Sequence, residues 1–519
     1  MSSIVKRCPA PSRKLGLWLP LLVLLVVLGW AIAHSEGIGG PPLVSVWAYD
    51  PEDYDPQHTS HPMAQEIFRH VCEPLFYQDE QGDLRGILAE DDIVYGSDGR
   101  EVTIRLRPDI IFHDGTPLDA GGVVASFERL QQFGASPLLN ELRDVIVTAG
   151  SDGRSVVFTL PYLDYEFGNL VLSNSYAVIV SPKAGAWMEP GFVACTGPYR
   201  FVPSAYRPNR SVTLVPNSNY HYTPPYAENP GPPTIRRLVY AFEPDRDARL
   251  KLLTEGSACV LSLSRDGEIP PALSHFRYHF ATGGVTYLGF NFQRQRWQDS
   301  RVRAAIAMAI DKEALATRGL FDVAETPLTP ESIGYDAGVA RFGYGYDPQR
   351  SRELLSSAGF DVALEIILLI PESRTYRDLA ADVQQQLAAI GLSRVRIREV
   401  PREDLLARRQ DFDLLVFDYA WGDYTALGIF LGSGPRNLLN YPEGNIADLI
   451  AQARMQADKD ERRDMILEAQ KIVLSEAIWQ PLLVRRIVFA VDSRCVSGER
   501  STPFGELIFW DAHTDFSPF

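Results

Sequence analysis

The feature that most constrains the fold of this chain is a change of hydrophobic periodicity between its first and second halves. Between about residues 77 and 185, apolar and polar residues alternate, and the tetrapeptide SDGR precedes an alternating run at 97–100 and again at 151–154. An Asp-Gly pair between extended runs is typical of a β-hairpin. After residue 283 the apolar residues recur instead at helical spacing. We therefore expect a strand-rich unit early in the chain and an α/β unit late in it.

The late unit is predicted to be a mostly parallel α/β sheet. Helical spacing extends through DSRVRAAIAMAIDKEALATRG, which Gly319 can end, and through DPQRSRELLSSAG. In the second segment Asp347 is the expected N-cap, Pro348 lies in the first turn and Gly359 follows the last. Further strands are expected in LEIILLI, RVRIREV and FDLLVFDY, and further helices in RDLAADVQQQLAAIG and ERRDMILEAQKIVLSEA. Alternating strands and helices are the signature of a parallel sheet.

The N-terminal residues 1–33 have the three parts of a secretory signal peptide. Four basic residues precede the apolar run Leu15–Ala33, and the small residues Ala31 and Ala33 supply a cleavage site. The run is also long enough to span a bilayer, so an uncleaved anchor is the alternative. Cys8 precedes the run and no cysteine stands at the cleavage point, which argues against a lipid anchor. We expect an exported protein, with membrane anchoring through residues 15–33 as the alternative.

The net charge argues against nucleic acid as a partner, and the cysteine spacing argues against a zinc site. The formal net charge is -16, and removal of the leader makes it more negative, because the leader's charged residues are all basic. Nucleic acid is not an expected partner, since its binding usually needs a basic face. Four cysteines follow the leader, and their spacing fits no compact zinc site. Three disulfide connectivities are open, but we expect buried free thiols or a single bridge among Cys72, Cys195, Cys259 and Cys495.

No enzyme motif is recognisable in the sequence. It contains no G-x-S-x-G, no H-E-x-x-H and no phosphate-binding G-x-x-x-x-G-K-[ST]. The neighbours His113 and Asp114 are a candidate dyad, but Asp114-Gly115 followed by Pro117 favours a turn whose side chains bond local backbone. GSGPRN at 432–437 has glycines without the strand-to-helix context of a nucleotide site. We expect no catalytic residue, no metal ligand and no cofactor.

A binding site is predicted instead in YAWGDYTALGIF, residues 419–430, directly after an expected α/β strand. Ligands of such sheets lie beyond the carboxyl ends of the strands. Asp423 can bind a ligand ammonium through charge-assisted hydrogen bonds. Trp421, Gly422 and Tyr424 would line the pocket, the aromatic rings supplying apolar area and attracting a cation. The equally favoured alternative is that Trp421 belongs to the core and that Asp423 caps the next segment.

Five stretches, in order along the chain, resemble the peptide/nickel type (family five) of extracellular solute-binding proteins, which feed ABC importers. They are CEPLFYQDEQGDLRGILAE, VTIRLRPDIIFHDGTPLDAGGVVASFERL, CTGPYRF, YLGFNFQRQRWQDSRVRAAIAMAIDKEAL and YDPQRSRELLSSAGF. The resemblance covers nearly the whole chain after the leader and is to oligopeptide- and dipeptide-binding members. Within the family F-H-D-G marks the fold and is not catalytic, so the turn interpretation of His113 and Asp114 is preferred.

The resemblance implies an α/β fold of two lobes around a cleft, joined by crossing strands that allow hinge closure. The first lobe would comprise 34–76, 186–283 and 481–519, with 77–185 as its strand-rich extension. The second lobe would comprise 284–480.

The same resemblance implies a periplasmic protein, or one anchored in the inner membrane through residues 15–33. It would be a monomer that captures peptides and delivers them to permease subunits of an ABC importer in the inner membrane. Asp423 matches the aspartate that binds the free α-amine of bound peptides, and Trp421 would line that pocket. Arg374, in PESRTYRD, is similar in place to an arginine that clamps the ligand carboxylate in dipeptide-binding members. A guanidinium suits a carboxylate, but an exposed helix-start residue is the alternative for Arg374.

Several departures from the family pattern leave the ligand class open. Gly121-Gly122 replace an acid-Asp pair, Cys195 replaces a glycine, and Trp297 stands where Pro-Phe is common. TAL follows Asp423-Tyr424 where an acid-Pro pair is frequent, beside the expected pocket. A metal chelate, a glycoside or an opine is therefore an alternative ligand. A membrane-anchored sensor or chaperone that reuses the fold is an alternative function.

Overall fold

The computed structural model describes residues 41–514, apart from 60–61, 80–82, 133–137, 185–190, 223–226, 230, 264–268, 270–272, 275, 318, 435, 443 and 503–505. The predicted leader lies outside the described residues. No helix within them is long and apolar enough to cross a membrane.

The secondary structure is mixed, as an α/β fold requires. The helices of the described residues are α1 Pro62–Val71, α2 Ala120–Gln132, α3 Leu139–Leu142, α4 Arg246–Thr254, α5 Ser300–Met308, α6 Lys312–Ala316, α7 Pro348–Ser357, α8 Arg374–Ala389, α9 Thr425–Leu431, α10 Asn445–Met455 and α11 Lys459–Ser475. The strands are β1 Leu43–Trp47, β2 Phe76–Gln78, β3 Leu84–Gly86, β4 Ala89–Tyr95, β5 Glu101–Leu106, β6 Ile146–Ala149, β7 Ser155–Thr159, β8 Tyr199–Phe201, β9 Ser211–Pro216, β10 Leu238–Phe242, β11 Val260–Ser262, β12 Arg277–Phe290, β13 Phe321–Val323, β14 Ile366–Pro371, β15 Val395–Val400, β16 Leu414–Tyr419, β17 Trp479–Val491, β18 Val496–Ser497, β19 Arg500–Ser501, β20 Leu507–Ile508 and β21 His513–Thr514.

One large sheet joins the two lobes through two long strands. Its order is β15-β14-β16-β12-β17-β11-β1-β10-β9-β8, with β13 paired to β17. The central strands β12 and β17 pair antiparallel along almost their whole length. On one side β14 pairs in parallel with both β15 and β16, as predicted. We call the β8–β11 and β1 side the first lobe and the β14–β16 side the second.

The pairing of β12 with β17 is interrupted at its middle. The register shifts between Thr282 and Val285, where the sequence has two successive glycines. Gly284 has φ +116°, and a Cβ on it would lie 2.5 Å from the carbonyl oxygen of Tyr419. Only glycine meets both conditions without strain. The opposite strand is partly exposed at Arg485–Ile487, so this is where the sheet can bend with little loss of core contacts.

Residues 77–185 contain the hairpins that the SDGR repeats predicted. Strands β4-β5-β7-β6 form a four-stranded antiparallel sheet. The turns between β4 and β5 and between β6 and β7 place Gly99 and Gly153 at positive φ. The alternating residues share one buried face, as expected for a half-covered sheet, and are Val102, Ile104, Leu106, Val156, Phe158 and Leu160. We refer to residues 77–185 as the extension.

Three of the five family-like stretches, around Cys72, His113 and Cys195, meet at the junction of the extension and the first lobe. His113 Nε2 donates to the Gly197 carbonyl at 2.9 Å, and its backbone N donates to the Cys195 carbonyl at 2.7 Å. Asp114 accepts hydrogen bonds from Ser181 Oγ and from the Thr116 amide. These hydrogen bonds lie within the turn or join it to the neighbouring segments 181 and 195–197. The turn interpretation of His113 and Asp114 is therefore confirmed.

The cysteine expectation was wrong, because the structure contains two disulfides. Cys72 is bonded to Cys195, and Cys259 to Cys495. They join segments 123 and 236 residues apart. Spacing along the chain carried no information about either pairing, since each depends on which segments pack together.

The predicted caps of α7 are confirmed, but the helix before it is divided in two. The Asp347 carboxylate accepts from the Arg350 amide, and Gly359 follows the helix at positive φ. The helix expected to run to Gly319 is interrupted after α5, because Asp311 accepts from the Ala314 amide and starts α6. An aspartate whose carboxylate accepts a hydrogen bond from the backbone amide two or three residues later favours the start of a new helix over continuation of the preceding one.

The C-terminal segment returns to the first lobe and packs on α1. His70 is buried; its Nδ1 donates to the Glu66 carbonyl, and its Nε2 accepts from the Phe509 amide at 3.2 Å. The rings of His70 and Phe509 stack at 5.4 Å. Burial lowers the pKa of His70 from 6.5 to about 4. A proton on His70 Nε2 would point at the Phe509 N–H, and two donors cannot form a hydrogen bond. The hydrogen bond from Phe509 therefore requires the neutral imidazole.

We expect Gly284→Ala to lower the free energy of unfolding by about 2 kcal/mol, the cost of a non-glycine residue held at positive φ. Chemical denaturation measures it. Gly345→Ala is the matched control, because a Cβ on Gly345 meets no atom within 4 Å. Equal losses in the two variants would contradict the strained geometry assigned to Gly284.

His70 gives the protein a predictable loss of stability in acid. Between pH 6.5 and 4 the unfolded chain binds a proton at this ring that the folded protein does not. The unfolding free energy therefore falls as the pH falls, by up to about 1.4 kcal/mol per pH unit from this group. In His70→Gln that contribution disappears and the pH dependence becomes shallower in this window. The exposed His221→Gln is the control, and an unchanged slope in His70→Gln would refute the assignment.

Candidate functional site

The predicted binding segment begins at the carboxyl end of β16, as expected. Residues Ala420–Tyr424 connect β16 to α9, and this turn is tied to a neighbouring loop. The Ile333 amide donates to the Gly422 carbonyl at 2.9 Å, and Ser332 Oγ donates to the Trp421 carbonyl at 3.2 Å. Tyr419, the last residue of β16, is paired with Val285 of the crossing strand β12. The segment is thus held directly beside the interruption in the crossing strands.

Asp423 is a buried carboxylate whose two oxygens differ. Its Oδ1 accepts from the Thr425 amide at 2.8 Å and from the Thr425 hydroxyl. Asp423 is 7% exposed, and burial raises its pKa while the bonds from Thr425 lower it. Within the described residues it forms no ion pair. Oδ1 therefore closes a turn onto Thr425, the first residue of α9, whose N-cap is Tyr424 without a side-chain cap, and no described residue donates to Oδ2.

Trp421 is half-buried and contacts both polar and aromatic groups. Its Nε1 donates to Thr425 Oγ1 at 3.0 Å. The Phe430 ring meets it edge-on at 6.3 Å, and the Arg436 guanidinium carbon lies 5.4 Å from its ring centroid. Thr425 thus accepts from the indole and donates to Asp423, which fixes these two side chains relative to each other.

The other predicted residues lie in different surroundings. Tyr424 is fully buried, with its Cβ against Gly334, and its hydroxyl has no hydrogen-bond partner among the described residues. Arg374 is the first residue of α8; its side chain is 91% exposed and pairs with Asp378 one turn on. No described contact joins Arg374 to Asp423 or Trp421, and its role in binding stays a prediction.

A buried ion cluster next to Asp423 links the extension to the second lobe. Arg454 of α10 pairs with Asp164 at 2.5 Å and with Glu141 at 2.7 Å, both in the extension. Nearby, Arg462 of α11 pairs with Glu166 at 3.1 Å. We call these five residues the ion cluster. The charges of Arg454 and Glu141 both act on the pKa of the Asp423 carboxylate, so the ion cluster lies near the candidate site.

Sequence reasoning missed three parts of this region. Thr425 was noticed only as a departure from the family pattern, and Arg436 only as part of a glycine-bearing stretch. The ion cluster gave no signal, because its members are far apart in sequence. A cavity of about 540 Å³ was also not expected; it lies against the extension, includes none of the predicted residues and is lined by Glu90, Asp91, Arg107, Pro108, Asp109, Ile110, His221 and Tyr222.

Comparison with known proteins places the chain among binding proteins. Residues 83–432 match the family described as bacterial extracellular solute-binding proteins, family 5, middle. The glutathione-binding protein GsiB of Escherichia coli K12 is 25% identical over 497 residues, which cover 88% of this chain and 91% of that protein.

Solved structures share the two-lobed fold, and two of them hold different ligands. The ABC transporter substrate-binding protein CtaP from Listeria monocytogenes has a TM-score of 0.77 and 22% identity, covering 92% of this chain and all of that one. The oligopeptide-binding protein AppA from Bacillus subtilis, in complex with a nonapeptide, has a TM-score of 0.70 and 19% identity. The match covers 92% of this chain and 99% of AppA. AgaA from Agrobacterium tumefaciens R10, in complex with agropinic acid, has a TM-score of 0.70 and 21% identity. The match covers 92% of this chain and 99% of AgaA. At these identities the likeness shows the fold alone.

We expect Arg454→Met to lower the free energy of unfolding by about 3–5 kcal/mol, because it leaves the buried Asp164 carboxylate without its partner. Chemical denaturation measures the loss. The control is Arg350→Met, which removes an exposed ion pair with Glu353 and should change stability by less than about 1 kcal/mol. Similar losses in both variants would show that Arg454 does not stabilise this contact.

Proposed function

This chain belongs to the bacterial extracellular solute-binding proteins, family 5, whose members serve ABC transporters, and on that premise we propose that it captures peptides between its lobes. Asp423 binds the free α-amine of the peptide, and Trp421 lines the pocket beside it. The exported protein, a monomer, then delivers the peptide to permease subunits in the inner membrane. The leader in residues 1–33 is the basis for proposing export.

The observation that carries this proposal is the Asp423 carboxylate itself. It is almost fully buried and lacks a cation partner among the described residues. Removing an unpaired carboxylate from water is unfavourable. A ligand ammonium that approaches Oδ2 would supply the missing charge, and the bond from Thr425 already orients the group. Such a pair contributes orientation and specificity more than raw affinity.

The names of the relatives are in keeping with a peptide ligand. Glutathione, in the name of GsiB, is a peptide with a free amine, and AppA holds a nonapeptide. One observation favours a different ligand: Thr425 occupies Asp423 Oδ1, so a primary ammonium, with three donors, finds only one of the carboxylate oxygens unoccupied. An opine, with fewer amine hydrogens, is the second candidate, and AgaA provides a structure of that kind.

Native mass spectrometry of protein purified from an exporting host separates these candidates. A family of masses that resolve as short peptides supports the proposal. A single non-peptide mass preserves the transport role and favours the second candidate. Protein that carries nothing and shows no thermal shift with a peptide pool would favour the sensor or chaperone alternative.

We expect Asp423→Asn to weaken binding of peptides with a free α-amine by roughly 2–5 kcal/mol, as for loss of a desolvated charge pair. N-acetylated peptides should bind weakly to the parent protein and lose little further in the variant. Isothermal titration calorimetry measures both. Asp378→Asn, at an exposed position of α8, is the control. Equal losses for free and acetylated peptides would remove Asp423 from this role.

A further inference from the structure

We propose that the ion cluster is a latch, which joins the extension to the second lobe when the cleft is closed and separates when the cleft opens. The extension then moves with the first lobe, and the latch adds to the stability of the closed form. A latch of this kind acts in the same way for any ligand, so it stands apart from the proposed function.

The extension contacts both lobes, so the cleft cannot open unless one of these contacts breaks. The crossing strands β12 and β17 join the lobes through the shared sheet. A bend at Gly283-Gly284 would turn the second lobe relative to the first. An extension fixed to both lobes would prevent that rotation. One of its two contacts must therefore open.

The contact with the first lobe is fastened to a covalent cross-link. The Cys72–Cys195 disulfide joins the segments that enter and leave the extension. The His113 amide of the extension donates to the Cys195 carbonyl at 2.7 Å. Arg129 of α2 also pairs with Asp55 of the first lobe, and both side chains are buried. The disulfide and the buried pair hold the extension to the first lobe.

The contact with the second lobe separates the two signs of charge. In the ion cluster both bases belong to the second-lobe helices α10 and α11, and all three acids belong to the extension. At its exposed edge Lys459 Nζ of the second lobe lies 3.3 Å from the Asp83 carboxylate of the extension. Two faces of opposite charge attract each other, and water solvates each of them when they part. In a permanent contact ion pairs gain little over apolar side chains, so this composition suits a contact that opens and closes.

Apolar side chains accompany the charges. Most buried apolar residues of the extension and of the second lobe belong to one hydrophobic cluster, whereas the first lobe has clusters of its own. The shared cluster stabilises the closed form before any ligand binds. It also defines the competing arrangement, in which the extension moves with the second lobe and separates from the first. The two arrangements differ in which contact opens.

The latch is connected to the binding segment through α11. Tyr424, the residue after Asp423, and Ile466 of α11 both lie against Gly334. Arg462 of the latch is one turn before Ile466 on the same helix. Closing the latch therefore fixes the helix beside which the binding segment packs. Because the latch enlarges the closed fraction of the protein, it raises the apparent affinity for the ligand.

Hydrogen exchange of two backbone amides tests the latch. The Tyr165 amide donates to the Arg454 carbonyl at 2.9 Å, across the contact with the second lobe. The His113 amide reports in the same way on the contact with the first lobe. Both are followed by NMR in ligand-free protein that lacks residues 1–33, as protection factors, which report the free energy of local opening. In the parent protein the Tyr165 amide should be less protected than the His113 amide, by about tenfold or more.

Variants at Arg462 separate charge from packing. Arg462→Gln removes the ion pair with Glu166, so the protection of Tyr165 should fall roughly tenfold or more, as for a buried charge that loses its partner. The protection of His113 should not change. Arg462→Lys keeps the charge and should retain most of the protection. The control is Arg350→Gln, which breaks an exposed pair within α7 and should leave both amides as in the parent.

The opposite order of protection in the parent, with His113 exchanging faster than Tyr165, would show that the extension moves with the second lobe. Equal protection would show that neither contact opens by itself. A loss at both amides in Arg462→Gln would indicate general destabilisation, and equal losses in Arg462→Gln and Arg462→Lys would remove the role of charge. Each of these results overturns the latch, and because no ligand is present, none of them bears on peptide binding.

Discussion

The antiparallel pairing of β12 with β17 is the constraint on which the rest of the structure depends. It makes one sheet out of two lobes, so the lobes can move relative to each other only by bending these strands. The ladder is interrupted at Gly283-Gly284 and partly exposed at Arg485–Ile487. Hinge closure of two-lobed proteins uses a few residues that absorb backbone rotation. Gly284 also lies against Tyr419, four residues before Asp423, so the interruption and the candidate site share one stretch of backbone.

Buried charges in this protein are of two kinds. Some are paired inside the protein, Arg454 with Asp164 and Glu141 near the site and, elsewhere in the chain, Arg129 with Asp55. Within the described part of the site, Asp423 is the exception. A buried carboxylate without a counter-ion is unfavourable in the free protein. A ligand cation would relieve this condition, which is the physical basis for proposing that this segment binds the ligand.

Family membership explains the fold better than it explains the ligand. Three of the five motifs that carry it, around Cys72, His113 and Cys195, lie at the junction of the extension and the first lobe. They hold the architecture together and are remote in sequence from the segment 421–436. Related folds accordingly hold a nonapeptide or agropinic acid. We propose that the ligand depends on a few side chains after β16, where Thr425 belongs to a stretch in which this chain departs from the family pattern.

Local pattern by itself determined the features that depend on residues close together in the chain. The hairpins at SDGR, the cap at Asp347, the turn at His113-Asp114 and the position of Asp423 after a strand were all predictable, because each depends on bonds between near neighbours. The break at Asp311 was not predicted, since capping there competes with an equally regular helical pattern. Tertiary structure alone decided both disulfides, the burial of Tyr424, the ion cluster around Arg454 and the placing of Arg436 on Trp421. These depend on which distant segments pack together, and hydrophobic periodicity specifies which face of an element is buried without specifying its partner.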